Sequence, residues 1–136
     1  MKNPTQTVLL ADDEVFMLRL LEVTFLRGGY RIVQARSGSE ALVVAAAENP
    51  DLIVMDLMMP GMDGLSALQR LRQAEATRGI PVIILSAKGH ALTKVEAEQA
   101  GASLFLTKPF SPNQLLTEAR RILGANSTRE KLDPPL

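Results

Sequence analysis

Five short apolar runs punctuate the chain: "TVLLA", "RIVQA", "DLIVMD", "PVIILS" and "SLFLTK". Each has the length of a strand, and the middle ones carry Val, Ile or Leu at nearly every position. Runs without polar alternation suit strands buried on both faces. "RIVQA" differs, because Arg31 and Gln34 interrupt it, and it reads as an edge strand.

Between these runs, apolar positions recur at helical spacing. In "EVFMLRLLEVTFLRGG", Leu18, Leu21 and Phe25 share one side while Arg19, Glu22 and Arg27 share another, and Gly28-Gly29 form the stop. "SGSEALVVAAAE" opens with Ser37 and Glu40 as a capping box. "DGLSALQRLRQAEA" starts from Asp63 as N-cap, and "HALTKVEAEQAGA" ends at Gly101. "SPNQLLTEARRILG" has Ser111 as N-cap, Pro112 in first position and Gln114 completing the box. Its Leu115, Ala119, Ile122 and Leu123 form a buried stripe, with Gly124 as the expected stop. Strand and helix thus alternate five times. This predicts an α/β fold: a doubly wound parallel sheet with right-handed crossovers and helices on both faces. The expected organisation is one domain over residues 1–124, followed by a polar C-terminal tail or linker over 125–136, "ANSTREKLDPPL".

Composition narrows the classes. The 136 residues suffice for one domain with a real core, and 46% of them are hydrophobic. Lys+Arg and Asp+Glu number 15 each, so no net field favours nucleic acid or an acidic membrane. With no cysteine there is neither a disulfide framework nor a Cys-based zinc site. "ALVVAAA" is too short to span a bilayer, and "MKNPTQT" has no signal-peptide apolar region. The expectation is a cytoplasmic protein without direct nucleic-acid or membrane partners.

The chemistry lies in the residues placed directly after the strands. Asp12, Asp13 and Glu14 come after the first; Asp56 closes the third, Ser86 the fourth and Lys108 the fifth. Ligands of open α/β sheets bind outside the carboxyl ends of the strands, where strand order reverses. Asp12, Asp13 and Asp56 would crowd three carboxylates, which raise one another's pKa unless a cation joins them. Hard oxygen ligands in that number suit Mg2+. Lys108 is a point charge for a phosphoryl oxygen, and the Ser86 hydroxyl is a donor for another. Together these groups describe phosphoryl transfer to Asp56 as nucleophile.

The segments "ADDE", "DLIVMDLMMPGMDG", "ILSA", the Gly-Ala of "QAGA" and "FLTKPF", in that order and spacing, carry a resemblance. Over residues 6 to 124 the chain resembles the receiver domain of bacterial two-component response regulators, in the manner of a single-domain chemotaxis regulator. The resemblance implies the flavodoxin-like (βα)5 fold with strand order 2-1-3-4-5. It implies a phosphoacceptor signalling domain rather than an enzyme in the ordinary sense, catalysing its own phosphorylation and dephosphorylation. Asp56 would take phosphate from a sensor histidine kinase or phosphotransfer protein. Asp13 would bind Mg2+ directly, Asp12 through water, and the Met58 backbone carbonyl would be a further ligand. Lys108 would contact the phosphate and precede a cis peptide to Pro109. Ser86 and Phe105 would be the switch pair that signals to a downstream effector protein. Met58 and Lys88 would flank the phosphate and limit the access of water.

Each residue has an ordinary use as well. Acids before the first helix complement its dipole, Ser86 suits an N-cap, Lys108 a snorkelling side chain, and Phe105 plain core. His90 reads as an exposed residue near a helix start. The joint occurrence at four strand ends is what favours chemistry. Rival functions lack their residues. An aspartate-dependent phosphatase needs a second acid two residues after its nucleophile, where Met58 stands, and a nucleotide or flavin binder needs a Gly- or Ser/Thr-rich loop in place of "ADDEVF". A receiver that had become a constitutive interaction module would have lost Asp13, Asp56 or Lys108.

Overall fold

The computed structural model describes residues 5–87 and 91–132, with the backbone alone for 91–93 and 125–132. Lys88 and His90 lie outside the described residues. The apolar runs are the strands: β1 Thr7–Ala11, β2 Arg31–Ala35, β3 Leu52–Asp56, β4 Val82–Ser86 and β5 Leu104–Thr107. They form one parallel sheet in the order β2-β1-β3-β4-β5. The helices between them are α1 Val15–Arg27, α2 Gly38–Glu48, α3 Gly64–Gln73, α4 Ala91–Gln99 and α5 Pro112–Leu132.

The alternation of strand side chains divides the core in two. Leu9, Ala11, Ile53, Met55, Val82 and Ile84 pack with Ala41 and Ala45 of α2, Ala67, Leu68 and Leu71 of α3 and Ala97 of α4. Val8, Leu10, Leu52, Val54, Ile83 and Leu85 pack with Leu18, Leu21 and Phe25 of α1 and Leu115, Ala119 and Leu123 of α5. Both faces of β3 and β4 are therefore buried throughout, which is why those runs read as continuously apolar. Burial of each Leu or Ile side chain contributes about 2 kcal/mol. β2 is an edge, with Arg31 and Gln34 exposed.

The helix starts obey their local chemistry. Ser37 Oγ accepts from the Glu40 amide at 3.1 Å, and the Glu40 carboxylate accepts from the Arg36 amide at 2.6 Å. Asp63 accepts from the Ser66 amide at 2.7 Å and Ser111 from that of Gln114 at 3.2 Å. The ends obey it less closely. Helix α3 stops at Gln73, short of the expected span, and Thr77 donates its hydroxyl to the Leu71 carbonyl at 2.7 Å. Gly124 does not stop α5, which runs on to Leu132 through most of the expected tail. A glycine stop needs a left-handed backbone, which Gly29 and Gly101 adopt and Gly124 does not. Inside a helix, glycine costs only about 1 kcal/mol against alanine, a cost that neighbouring turns can carry. Residues 133–136 lie outside the described residues. Among the described residues no helix is long and apolar enough to cross a membrane.

Candidate functional site

The sheet itself assembles the site. Ala11 pairs with Met55 and Asp56 with Leu85, so Asp12 and Asp56 leave adjacent strands at the same level. Ser86 pairs with Thr107, which brings Lys108 to that edge one residue later. Two backbone bonds hold the strand ends: Asp12 N–H donates to Ala35 O at 3.1 Å, and Lys108 N–H to Ser86 O at 2.6 Å. The Lys108–Pro109 peptide is cis, as expected.

Asp12 and Asp56 are almost fully buried, at 0% and 4% exposure. Asp12, Asp13 and Asp56 each offer a carboxylate oxygen, and these atoms all lie within 4.8 Å of one another. Lys108 Nζ stands 3.0 Å from Asp56 Oδ1, 3.7 Å from Asp12 Oδ2 and 4.0 Å from Glu14 Oε1. Glu14 thus joins the lysine's surroundings, a role beyond the helix-dipole use its position suggests. Asp12 Oδ1 accepts from the Glu14 amide at 2.9 Å, whereas Asp12 Oδ2 is buried with no hydrogen-bond partner among the described residues.

These contacts leave the site short of positive charge. Burial pushes the Asp12 carboxyl up from 3.8 to about 6, with Asp56 adding to the rise and the Glu14 amide and Lys108 opposing it. Burial also raises Asp56, against the hydrogen bond and charge of Lys108. Lys108 is pulled down by burial but ends above its ordinary value, because Asp56, Asp12 and Glu14 all favour its charged form. Among the described residues, one ammonium set beside three close carboxylates leaves a negative excess and one orphaned oxygen. A hard divalent cation that takes oxygen ligands fits that donor set and its charge.

The remaining expected residues sit nearby. Ser86 is fully buried, and its hydroxyl donates to the carbonyl of its neighbour Ala87 at 3.2 Å. Phe105 is half-buried against the cluster under α2, α3 and α4, and pairs in register with Ile84. Strand alternation puts Ser86 on the same sheet face as Phe105, and Asp56 on the face of Leu52 and Val54. Asp56 thus approaches the edge from the layer opposite to that of Ser86 and Phe105. Met58, two residues beyond the acid, is 55% exposed.

The loop after Asp56 is pressed into place by small residues. A Cβ on Gly64 would come within 2.5 Å of the Asp56 carbonyl, and one on Gly38 would collide with the Met62 carbonyl. Leu57 N–H donates to Leu85 O and Gly64 N–H to Leu57 O, both at 2.8 Å. Only the glycines themselves mark these close approaches in the sequence. Nothing there marks Arg72, whose guanidinium bonds to the carbonyls of Arg78, Ile80 and Gly101 at the opposite edge of the sheet.

Comparisons with known proteins agree with this geometry. The profile of the response regulator receiver domain matches residues 8–120. The phosphate regulon transcriptional regulatory protein PhoB of Pseudomonas aeruginosa is 36% identical over 118 residues, 87% of this chain and 52% of that protein. The alkaline phosphatase synthesis transcriptional regulatory protein PhoP of Bacillus subtilis is 39% identical over 116 residues, 85% of this chain and 48% of that one. The chain therefore spans about half the length of these curated relatives. They are transcriptional regulators by name, so the expectation of no direct nucleic-acid contact gains no support from them. Among solved structures, the receiver domain of the Francisella response regulator 1452 superposes with TM-score 0.83 at 35% identity, covering 90% of this chain and 99% of that one. The receiver domain of the histidine kinase PA1611 of Pseudomonas aeruginosa has TM-score 0.82 at 30% identity, covering 89% and 99%; a magnesium ion is coordinated in its active-site cleft. With its sheet order, its acidic strand ends and this sequence match, the chain belongs to the response regulator receiver domain family, the signalling domain of phosphorelays.

Proposed function

We propose that Asp56 is the phosphoacceptor of this receiver. The observation that carries the reading is a buried carboxylate held 3.0 Å from Lys108, within an acidic cluster that keeps an orphaned oxygen. An oxygen of Asp56 attacks the phosphorus of a phosphohistidine on a sensor kinase or phosphotransfer protein. The new P–O bond forms as the P–N bond breaks, and the imidazole leaves with the bonding electron pair. Lys108 tracks the negative charge from Asp56 to a phosphoryl oxygen, where an ammonium is worth most in a site screened from water. Mg2+ held by Asp12, Asp13, Asp56 and the Met58 carbonyl would neutralise the excess charge and draw the phosphoryl oxygens to the acids. Attack by water on the same phosphorus returns the carboxylate and inorganic phosphate, so the domain catalyses both halves of its own cycle.

The switch reading rests on a hydroxyl that has little to lose. Ser86 holds one long bond to Ala87 O, and a phosphoryl group offers it a charged acceptor instead. The group adds about −1.5 to −2 charges and three acceptor oxygens. As Ser86 turns to it, Phe105 moves inward on the same sheet face and the surface of α4 and β5 changes for a downstream effector protein. New contacts bias two existing states rather than create one. The setting for this cycle is the cytoplasm, where kinase and phosphodonor meet.

Incubation with Mg2+ and acetyl phosphate is expected to add one phosphoryl group by mass. Asp56→Asn should abolish the adduct, Asp13→Ala should weaken Mg2+ binding, and chelation should prevent labelling. An adduct that survives Asp56→Asn would falsify the assignment.

A further inference from the structure

Over its described side chains, helix α4 buries little apolar surface. Of its described side chains only Ala97 is buried, while Val95 is 53% exposed and Lys94, Glu96, Glu98 and Gln99 lie at the surface. Glu96, Gln99 and Ala100 line an open groove whose other wall is Leu65 and Gln69 of α3. Helix α3 therefore does not close on this flank.

The C-terminal end of α4 is held differently. The Gly101 carbonyl accepts from Arg72 Nε at 3.2 Å and Nη2 at 2.8 Å. Arg72 Nη1 donates to Ile80 O at 2.7 Å and Arg78 O at 3.1 Å, so one side chain of α3 joins the approach to β4 and the turn before β5. That turn is closed by Gly101 N–H to Glu98 O at 3.1 Å and Ala102 N–H to Ala97 O at 2.9 Å, and Ser103 N–H ties it to Val82 O at 2.8 Å. Glycine is needed at 101: its φ is +103°, and a Cβ there would stand 2.8 Å from Arg72 Nε. The planar fork of arginine can serve three carbonyls at once, which a lysine ammonium on its flexible stem cannot do in this geometry.

We infer that Arg72 is the pin of a hinge: it fixes the C-terminal end of α4 to the amino edge of the sheet, so that a rearrangement starting at Ser86 swings the helix about Gly101 instead of shifting it bodily. This rests on the proposed roles of Asp56 and Ser86. Arg72 is a positioning residue, since its partners are backbone carbonyls remote from the acids. A nine-residue helix is about 13 Å long, so a swing of about 10° moves its N-terminal end by about 2 Å while the pinned end stays.

Beryllofluoride with Mg2+ places a phosphoryl mimic on Asp56, and its 19F resonance reports occupancy independently of Arg72. Amide hydrogen exchange is then compared with and without the adduct. In the wild type the adduct should change exchange at residues 94–99 and leave Gly101, Ala102 and Ser103 unchanged. In Arg72→Met those three amides should exchange about tenfold faster and join the response to the adduct. Arg72→Lys should behave like the methionine variant, and serves in its place if that one does not fold. No 19F adduct on the wild type overturns the phosphoacceptor reading and the hinge with it. With the adduct present, a wild-type response as strong at 101–103 as at 94–99 overturns the hinge alone. So does a variant that melts earlier yet keeps its response confined to 94–99, the signature of a merely structural arginine.

Discussion

The two edges of the sheet treat charge removed from water in opposite ways. At the amino edge, the half-buried Arg72 gives four hydrogen bonds to three backbone carbonyls. Burial lowers its pKa, and the bonds replace the hydration it loses. At the carboxyl edge, Asp12 and Asp56 are more deeply buried, yet one lysine is shared among three carboxylates and Asp12 Oδ2 has no hydrogen bond among the described residues. The first edge is finished as folded. The second is left incomplete, and its excess of negative charge suits the divalent cation proposed for it.

The largest expected effect is on the unfinished edge. In the metal-free protein Asp12 keeps its proton up to about pH 6, against 3.8 ordinarily. A carboxyl whose pKa is raised by folding adds stability below its unfolded value, and loses it as pH climbs through the folded value. Stability should therefore fall between pH 4 and 6, by about 3 kcal/mol at most. Urea midpoints measured across this range check the sign, Mg2+ should flatten the slope, and Asp12→Asn should reduce it to the part that Asp56 contributes. A metal-free protein whose stability rises over that range would mean that the edge is already compensated.

Removing Lys108 deepens the imbalance. Lys108→Met strands Asp56 and Asp12 without their cation and should cost about 2–3 kcal/mol in metal-free buffer, with much of it restored by Mg2+. Denaturation with and without the metal separates the two. At the finished edge, Arg72→Met leaves three carbonyls unpaired and should cost about 2 kcal/mol. Magnesium should not restore it, and this contrast is the sharpest test of the comparison. Smallest of all, Asp63→Ala removes the cap of α3, which supports neither charge system. It should lower stability by about 1 kcal/mol with or without Mg2+, as urea titration in both buffers would show.

How much could be read in advance depends on how local each cause is. The runs at β3 and β4 are apolar at every position because both faces are covered, and that pattern needs no partner to be seen. Ser37, Asp63 and Ser111 cap their helices through bonds to amides three residues on, so spacing alone reveals them. Asp12, Asp56, Ser86 and Lys108 are recognisable by their place after apolar runs, because parallel strands wound in one hand present the same end to one edge. The extent of α5 is not. Gly124 has the composition of a stop, but only its backbone conformation decides whether it acts as one.

The chain's order of apolar runs, caps and strand-end side chains determined by itself the doubly wound sheet and the company of carboxylates at its carboxyl edge. Tertiary structure alone decided that Asp12 Oδ2 has no hydrogen bond among the described residues, that Glu14 faces Lys108, and that Arg72 reaches carbonyls 6, 8 and 29 residues away. Periodicity records which side of an element is buried. Hydrogen bonds to the backbone of distant turns leave no mark in composition, since every residue type carries the same carbonyl.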